Sequence, residues 1–360
     1  MKGIKEIKDL KNKKVLLRVD FDVPVVNGKI GESFRINKQK PMIDYLLTGR
    51  AQVMMVAHIS AVDSFEPILS QLEEILGHKI VFLKNLENLP SQLSVVSRKL
   101  FLLDNIRQWP SEKENDENFS KQLADGFDIY INNAFAVCHR DHASVSAVAK
   151  HLPAYSGFLI EEETGQLQKA IVSSKDGKVM IMGGAKAETK IPVIRNFLDR
   201  AEKILLGGVI VNDILAKKGV NIDDSVFDPN FEELLTGLDI NDPRLIMPED
   251  FIFSDKKIFD IGPKSIKKYE ELIKNAKMII WNGPVGLFEN PDYAKGTNEI
   301  ALAVSRLKAF KVIGGGDTIT AVNKLGILDK FDFVSTGGGA MLSFLAGEKL
   351  PGLEALEYYK

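Results

Sequence analysis

Two runs of three glycines, Gly314–Gly316 followed by Asp317-Thr318 and Gly337–Gly339 preceded by Thr336, stand where apolar strand-like segments give way to helix-like ones. Backbone N–H groups at such a helix start form an anion site, and glycine lets a phosphate approach closely. Asp317 supplies a hard oxygen ligand suited to Mg²⁺, which usually arrives with a nucleotide; read alone, it is equally a helix N-cap. Gly183-Gly184-Ala185-Lys186 with Lys190 adds two lysines four residues apart. A helix beginning near Ala185 projects both from one face towards a strand end, the alternative being ordinary solvated lysines. In the first half, Arg18, Arg35, Arg107 and Arg140 lie in or just after strand-end segments, together with His58, His139 and His142. Arginine suits planar, bidentate recognition of carboxylate and phosphate. One such arginine is ordinarily a surface residue or an ion-pair partner; four at corresponding places point to a basic pocket for a small, highly charged anion.

The elements that must position these residues are short apolar, β-branched runs alternating with longer amphipathic stretches, the pattern of parallel sheets flanked by helices. Strands are predicted at 15–21, 52–59, 80–83, 100–106 and 128–135, and again at 178–185, 203–209, 278–283, 310–315 and 331–336. Helix-like pieces include 36–48 and 114–125. Two such series predict two open α/β domains, with the seam near 153–177, where Pro153 precedes helical spacing of Phe158, Leu159, Leu167, Ala170 and Ile171. Polar and glycine residues cluster just after the strands, where open parallel sheets bind ligands.

Bulk properties bound the rest. With 360 residues the chain has room for two domains. Its 47 Lys+Arg against 49 Asp+Glu leave a net charge of −2, so no overall field recruits nucleic acid or membrane. A single cysteine, Cys138, excludes an internal disulfide and gives no metal-ligand spacing. The first residues have no signal-peptide apolar region, and no apolar run reaches membrane-spanning length. A cytoplasmic location is the expectation. Familiar alternatives fail: there is no G-x-x-x-x-G-K-[ST], and neither glycine triplet continues as G-x-G-x-x-G, because Ile319 and Leu342 occupy the last position. His139-Arg140-Asp141 mimics the protein-kinase catalytic triplet, but Ser146 stands where that motif needs Asn and no D-F-G follows.

Taken together, 15–24 (VLLRVDFDVP), 103–107 (LDNIR), 131–142 (INNAFAVCHRDH), 183–191 (GGAKAETKI), 260–264 (DIGPK), 281–289 (WNGPVGLFE), 314–318 (GGGDT) and 335–352 (STGGGAMLSFLAGEKLPG) resemble the phosphoglycerate kinase family, in order and along nearly the whole chain. The resemblance implies reversible phosphoryl transfer between 1,3-bisphosphoglycerate and Mg-ADP, giving 3-phosphoglycerate and ATP, by a monomer. It implies two Rossmann-like domains: a triose-phosphate domain at 1–153 with the tail 345–360 returning to it, a hinge helix at 154–172, and a nucleotide domain at 173–344. Carried over by motif, Asp20, Asp22, Arg35, His58, Arg107 and Arg140 line the acid pocket, with Arg35 nearest the transferred group. Lys186 and Lys190 contact the moving phosphoryl and the nucleotide phosphates, and Glu289 faces the ribose. Gly315, Gly316, Asp317 and Thr318 position phosphates and Mg²⁺, while Gly337, Gly338 and Gly339 offer a helix start to the phosphoryl. No general base is needed, because a carboxylate is already a nucleophile and the reaction asks chiefly for positioning and charge stabilisation.

The pattern also breaks. The family's H-L-G-R-P reads His58-Ile-Ser-Ala-Val62, so Ala61 replaces a substrate-binding arginine, and the loop after it is shortened. D-F-N-x-P has become Asp20-Phe21-Asp22-Val23-Pro24, N-D-A-F-G is Asn132-Asn133-Ala134-Phe135-Ala136, and Thr189 stands where an Asp precedes the second lysine. Three readings therefore compete: a phosphoglycerate kinase with weakened acid affinity, a kinase of the same architecture acting on another phosphorylated or carboxylic acid, and a nucleotide-binding homologue without catalysis. Retention of Lys186 together with Asp317 argues against the last.

Overall fold

The computed structural model describes residues 1–86 and 99–360. The chain forms two compact units, Met1–Gly165 with Lys349–Lys360, and Gln166–Glu348. The Phe158–Val172 helix carries the chain from the first to the second.

The first unit is built on a six-stranded parallel sheet ordered Val81–Leu83, Leu100–Leu103, Gln52–Val56, Lys14–Arg18, Ile129–Asn132 and Ala154–Ser156. Both faces of the strands are covered, as a parallel sheet requires. Val15 and Leu17 enter one buried cluster with Val53 and Met55, while the intervening Leu16 and Met54 enter a second with Phe101 and Tyr130. The last segment of the chain completes this unit: Gly352 N donates to Cys138 O (2.9 Å), where an added Cβ would press on the Cys138 backbone and sulfur.

The second unit has its own six-stranded parallel sheet, ordered Leu245–Ile246, Lys203–Leu206, Lys178–Met182, Met278–Asn282, Phe310–Gly314 and Phe333–Val334. In chain order this is 3-2-1-4-5-6, a doubly wound sheet whose topological switch point lies between Lys178–Met182 and Met278–Asn282. Trp281, fully buried, anchors the core under it with Ile181, Ile279 and Ile313. Two antiparallel hairpins decorate the units, Val25–Val26 with Lys29–Ile30 in the first and Phe251–Ser254 with Lys257–Ile261 in the second.

The expectation of two open parallel sheets is met, with corrections of detail. The predicted strands overrun their carboxyl ends by up to three residues, because buried apolar side chains such as Val19, Phe21, Ala57, Ile59 and Ile106 continue past the last ladder pair. Ala154–Ser156 and Leu245–Ile246, each too short to give a periodic signal, close the sheet edges unforeseen.

Candidate active site

In the first unit most of the site residues sit on segments leaving the carboxyl ends of the strands, while Arg18 ends a strand and Arg35 comes from a helix. His58 follows Gln52–Val56, and its ring joins three charged side chains. Arg18 Nη2 lies 3.2 Å from Nδ1, and Asp22 Oδ2 lies 3.2 Å from Nε2. A guanidinium only donates, so Nδ1 is the acceptor and the ring proton resides on Nε2, donating to Asp22. Arg140 Nη1, 3.4 Å from the same Nε2, then makes a contact rather than a hydrogen bond. Burial pushes the His58 pKa down to about 4, with the neighbouring Arg18 and Arg140 charges adding to the fall against the pull of Asp22. The imidazole is neutral at physiological pH. Burial alone raises an acid, but the hydrogen bond from His58 and that from Ser60 N (2.8 Å) hold the Asp22 carboxyl well below the usual carboxylate range. The pocket therefore carries a fixed negative charge at Asp22.

Arg35 projects from the Phe34–Thr48 helix, donating to Asp22 O (3.2 Å) and lying 3.7 Å from Asp20 Oδ2. Asp20 is 1% exposed, and burial raises its carboxyl in spite of Arg35. Arg107 donates through Nη1 to Ser60 Oγ (2.8 Å). Thus Asp20, Asp22, Arg35, His58, Arg107 and Arg140 are joined by direct contacts or through Ser60. Arg18 is different. It is 1% exposed and committed to His58, Ser144 Oγ (2.9 Å) and the Val56 carbonyl (3.4 Å). Ser144 is in turn fixed by the buried Glu112, donating its N–H (2.8 Å) and hydroxyl (2.6 Å) to that carboxyl. Of the four arginines grouped from sequence, three border the crevice and the fourth orients His58. Ser60 was not foreseen as a junction; its only sequence signal is its place two residues after His58. Ala61 beside it is exposed, in a bend.

In the second unit three glycine loops meet at the switch point. Gly183 N donates to Asn282 O (3.0 Å), Gly184 N to Pro284 O (2.7 Å), Gly208 N to Val285 O (3.1 Å) and Val209 N to Gly184 O (3.0 Å). A Cβ on Gly183 or Gly283 would collide with the backbone of the facing loop. Gly283 also holds φ +89°, a region costing an L-residue roughly 1–2 kcal/mol. Thr318 is wholly buried, its Oγ1 accepting from Gly283 N (2.7 Å), so it ties the Gly316–Lys324 helix to this cradle. Gly315 precedes that helix at φ +90° and the exposed Asp317 lies in its first turn. Gly338 is the N-cap of the Gly339–Leu345 helix at φ 47°.

Lys186 and Lys190 do not share a helix. The helix runs Ile191–Phe197, with Pro192 in its first turn, where a missing N–H is harmless. Residues 188–190 form a turn instead, which leaves Lys186 exposed and Lys190 buried, with Nζ donating to Lys186 O (3.2 Å). Burial pushes the Lys190 ammonium down to about 8, the Asp317 charge opposing the shift and Lys186 adding to it. The cation is thus full well below pH 8, half lost at about pH 8 and gone well above it. ADP affinity, measured by calorimetry, is expected to fall as the pH rises through about 8; a flat profile from pH 7 to 9.5 contradicts a role for this ammonium in holding phosphate.

Beside the cradle lies a cavity of about 220 Å³, lined by Gly184, Gly208, Val285 and Leu287, by residues of the 251–261 hairpin, and by Glu289 and Asp317 at its polar edge. Its mostly apolar walls, with the Glu289 and Asp317 carboxylates among them, suit a flat ring bearing a sugar. Asp317 is a lone carboxylate near a lysine and a helix start, a donor set that fits a hard cation bringing most of its ligands with it.

The sequence profile described as phosphoglycerate kinase matches residues 4–348. Proteins named phosphoglycerate kinase from Wolbachia sp. subsp. Brugia malayi (strain TRS) and Leptospira biflexa serovar Patoc are 35% and 36% identical, covering 97% and 98% of this chain and 96% and 97% of their own lengths. Among solved structures, those of phosphoglycerate kinase from Coxiella burnetii and Pyrococcus horikoshii OT3 superpose with TM-scores of 0.83 and 0.88. Each is 30% identical and covers 99% of this chain and 98% of its own.

Proposed function

Because the chain belongs to the phosphoglycerate kinase family, we propose that it transfers a phosphoryl group reversibly between 1,3-bisphosphoglycerate and ADP, giving 3-phosphoglycerate and ATP. The observation that carries this reading is the convergence at one switch point of three glycine loops, the buried Lys190 and the Asp317 helix start. Phosphates are held there by backbone N–H groups and one desolvated cation. The base occupies the cavity beside Leu287 and Val285, with Glu289 towards the ribose. Gly315 and Gly316 present N–H groups to the phosphates, while Thr318 acts indirectly, by fixing the cradle. Mg²⁺ carried in with the nucleotide would rest on Asp317 and supply neutralisation of phosphate charge.

The acid is held in the first unit by Arg35, Arg107 and Arg140, with His58 and Asp20 defining the pocket. Arg35, nearest the transferred group, and Lys186 stabilise its charge, and the helix start at Gly338 and Gly339 receives it. The 154–172 segment serves as the hinge, and the protein works as a cytoplasmic monomer. The acid's own carboxylate attacks, so no side chain need remove a proton.

A second reading, a different phosphorylated or carboxylic acid as acceptor, is favoured by Ala61 and by the fixed charge on Asp22. A panel of such acids assayed with ATP and Mg²⁺ separates the two. The highest kcat/KM is expected with 3-phosphoglycerate; a greater value for another acid moves the assignment to that acid.

A further inference from the structure

The helix Val209–Lys217 in the second unit carries two adjacent buried polar residues, Asn212 (4% exposed) and Asp213 (1% exposed). A helix packed against an apolar core ordinarily buries apolar side chains. Both residues reach the same segment. Asn212 Nδ2 donates to Val226 O (2.7 Å), and Asp213 Oδ1 accepts from Asp228 N (2.8 Å). Each is satisfied on one side only, because Asn212 Oδ1 and Asp213 Oδ2 are buried without a hydrogen-bond partner. Burial of a half-paired carboxyl pushes Asp213 up to about 6. Two imperfectly paired polar groups are costly to keep inside a fold, so stability alone does not account for them.

The segment they hold is itself tied onward to the hairpin. Ile258 N donates to Ser225 Oγ (2.9 Å), and Asp224 N donates to Lys256 O (3.0 Å). The helix, the 224–228 segment and the hairpin are thereby linked in series, and each contributes a wall of the cavity beside the glycine cradle: Asn212 from the first, Val226 from the second, Phe251 and Ile258 from the third.

We propose that Asn212 and Asp213 are positioning residues for the nucleotide: they fix the 224–228 segment, and through it the hairpin, at the separation that a purine ring needs. Neither acts on the phosphates or on the acid. The inference rests on the assignment of this cavity to the nucleotide.

Its test is calorimetric titration of ADP and of 3-phosphoglycerate into the full-length chain and into Asn212→Leu, Asp213→Ala and Asp213→Asn. Asn212→Leu and Asp213→Ala are expected to raise the Kd for ADP about tenfold and to leave that for 3-phosphoglycerate within about twofold. Asp213→Asn keeps an acceptor for Asp228 N and is expected to bind ADP like the parent chain. A thermal shift without change in ADP affinity, or an equal loss for both ligands, overturns the proposal, as does Asp213→Asn behaving like Asp213→Ala. If Asp213→Ala does not fold, Asn212→Leu carries the same comparison. Failure of the parent chain to bind ADP at all instead overturns the nucleotide assignment, which separates the two conclusions.

Discussion

Lys186→Ala is expected to lower kcat by roughly 100- to 1,000-fold, the scale seen when one preorganised charge is removed from a developing anion, while ADP affinity changes far less. The side chain is exposed, and the backbone that carries it is pinned: its carbonyl accepts from Lys190 Nζ (3.2 Å) and Thr189 Oγ1 (3.1 Å). Alanine leaves both bonds in place, so the loss reports the missing ammonium and not a displaced loop. An interaction formed only with the moving phosphoryl lowers kcat and kcat/KM together; one formed equally with bound nucleotide raises KM alone. Single-turnover rates with calorimetry of ADP distinguish these. A weakened ADP affinity with unchanged kcat assigns Lys186 to ground-state binding.

Ala61→Arg is expected to tighten 3-phosphoglycerate by about 10- to 150-fold, the equivalent of one charge-assisted hydrogen bond of roughly 1.5–3 kcal/mol, with ADP affinity unchanged. Position 61 is exposed beside Ser60, which links Arg107 to Asp22, so a guanidinium there adds to the arginine set without disturbing a packed neighbour. Adding Asp22→Asn removes the opposing charge but gives less than that charge alone suggests. Asp22 accepts from both His58 and Ser60 N, and Arg18 holds His58 as the Nε2–H tautomer. An amide has one oxygen for those two donors and leaves its NH₂ facing the other. The double variant is therefore expected to exceed Ala61→Arg only modestly. Titration of each variant with 3-phosphoglycerate checks the order, and no gain from Ala61→Arg means that another cation already serves the pocket.

Much of this was legible in the sequence, for identifiable reasons. Parallel strands buried on both faces announce themselves as continuous apolar runs, and glycine triplets at their ends mark where backbone must approach backbone or phosphate. The strand ends were misplaced because Val19, Phe21, Ala57 and Ile59, flanking Asp20 and His58, continue the apolar runs of the strands they follow. The hairpins and two edge strands were missed because two to five residues carry no period. At the site, residue type located the charges but not their partners. Arg18 reads like Arg35 in one dimension, yet it is sealed behind His58 by Ser144 and Glu112, more than ninety residues away along the chain. The spacing of Lys186 and Lys190 suggested one helical face, and Pro192 was the overlooked signal that the helix begins only at Ile191.

The central claim is tested most directly by following ATP consumption by the unmodified chain with Mg²⁺ while 3-phosphoglycerate is raised to high concentration. Saturable turnover is predicted, with a KM for the acid well above that for ATP, because Ala61 and Asp22 weaken only the acid pocket. No turnover at any acid concentration, from protein that still binds ADP by calorimetry, contradicts the account.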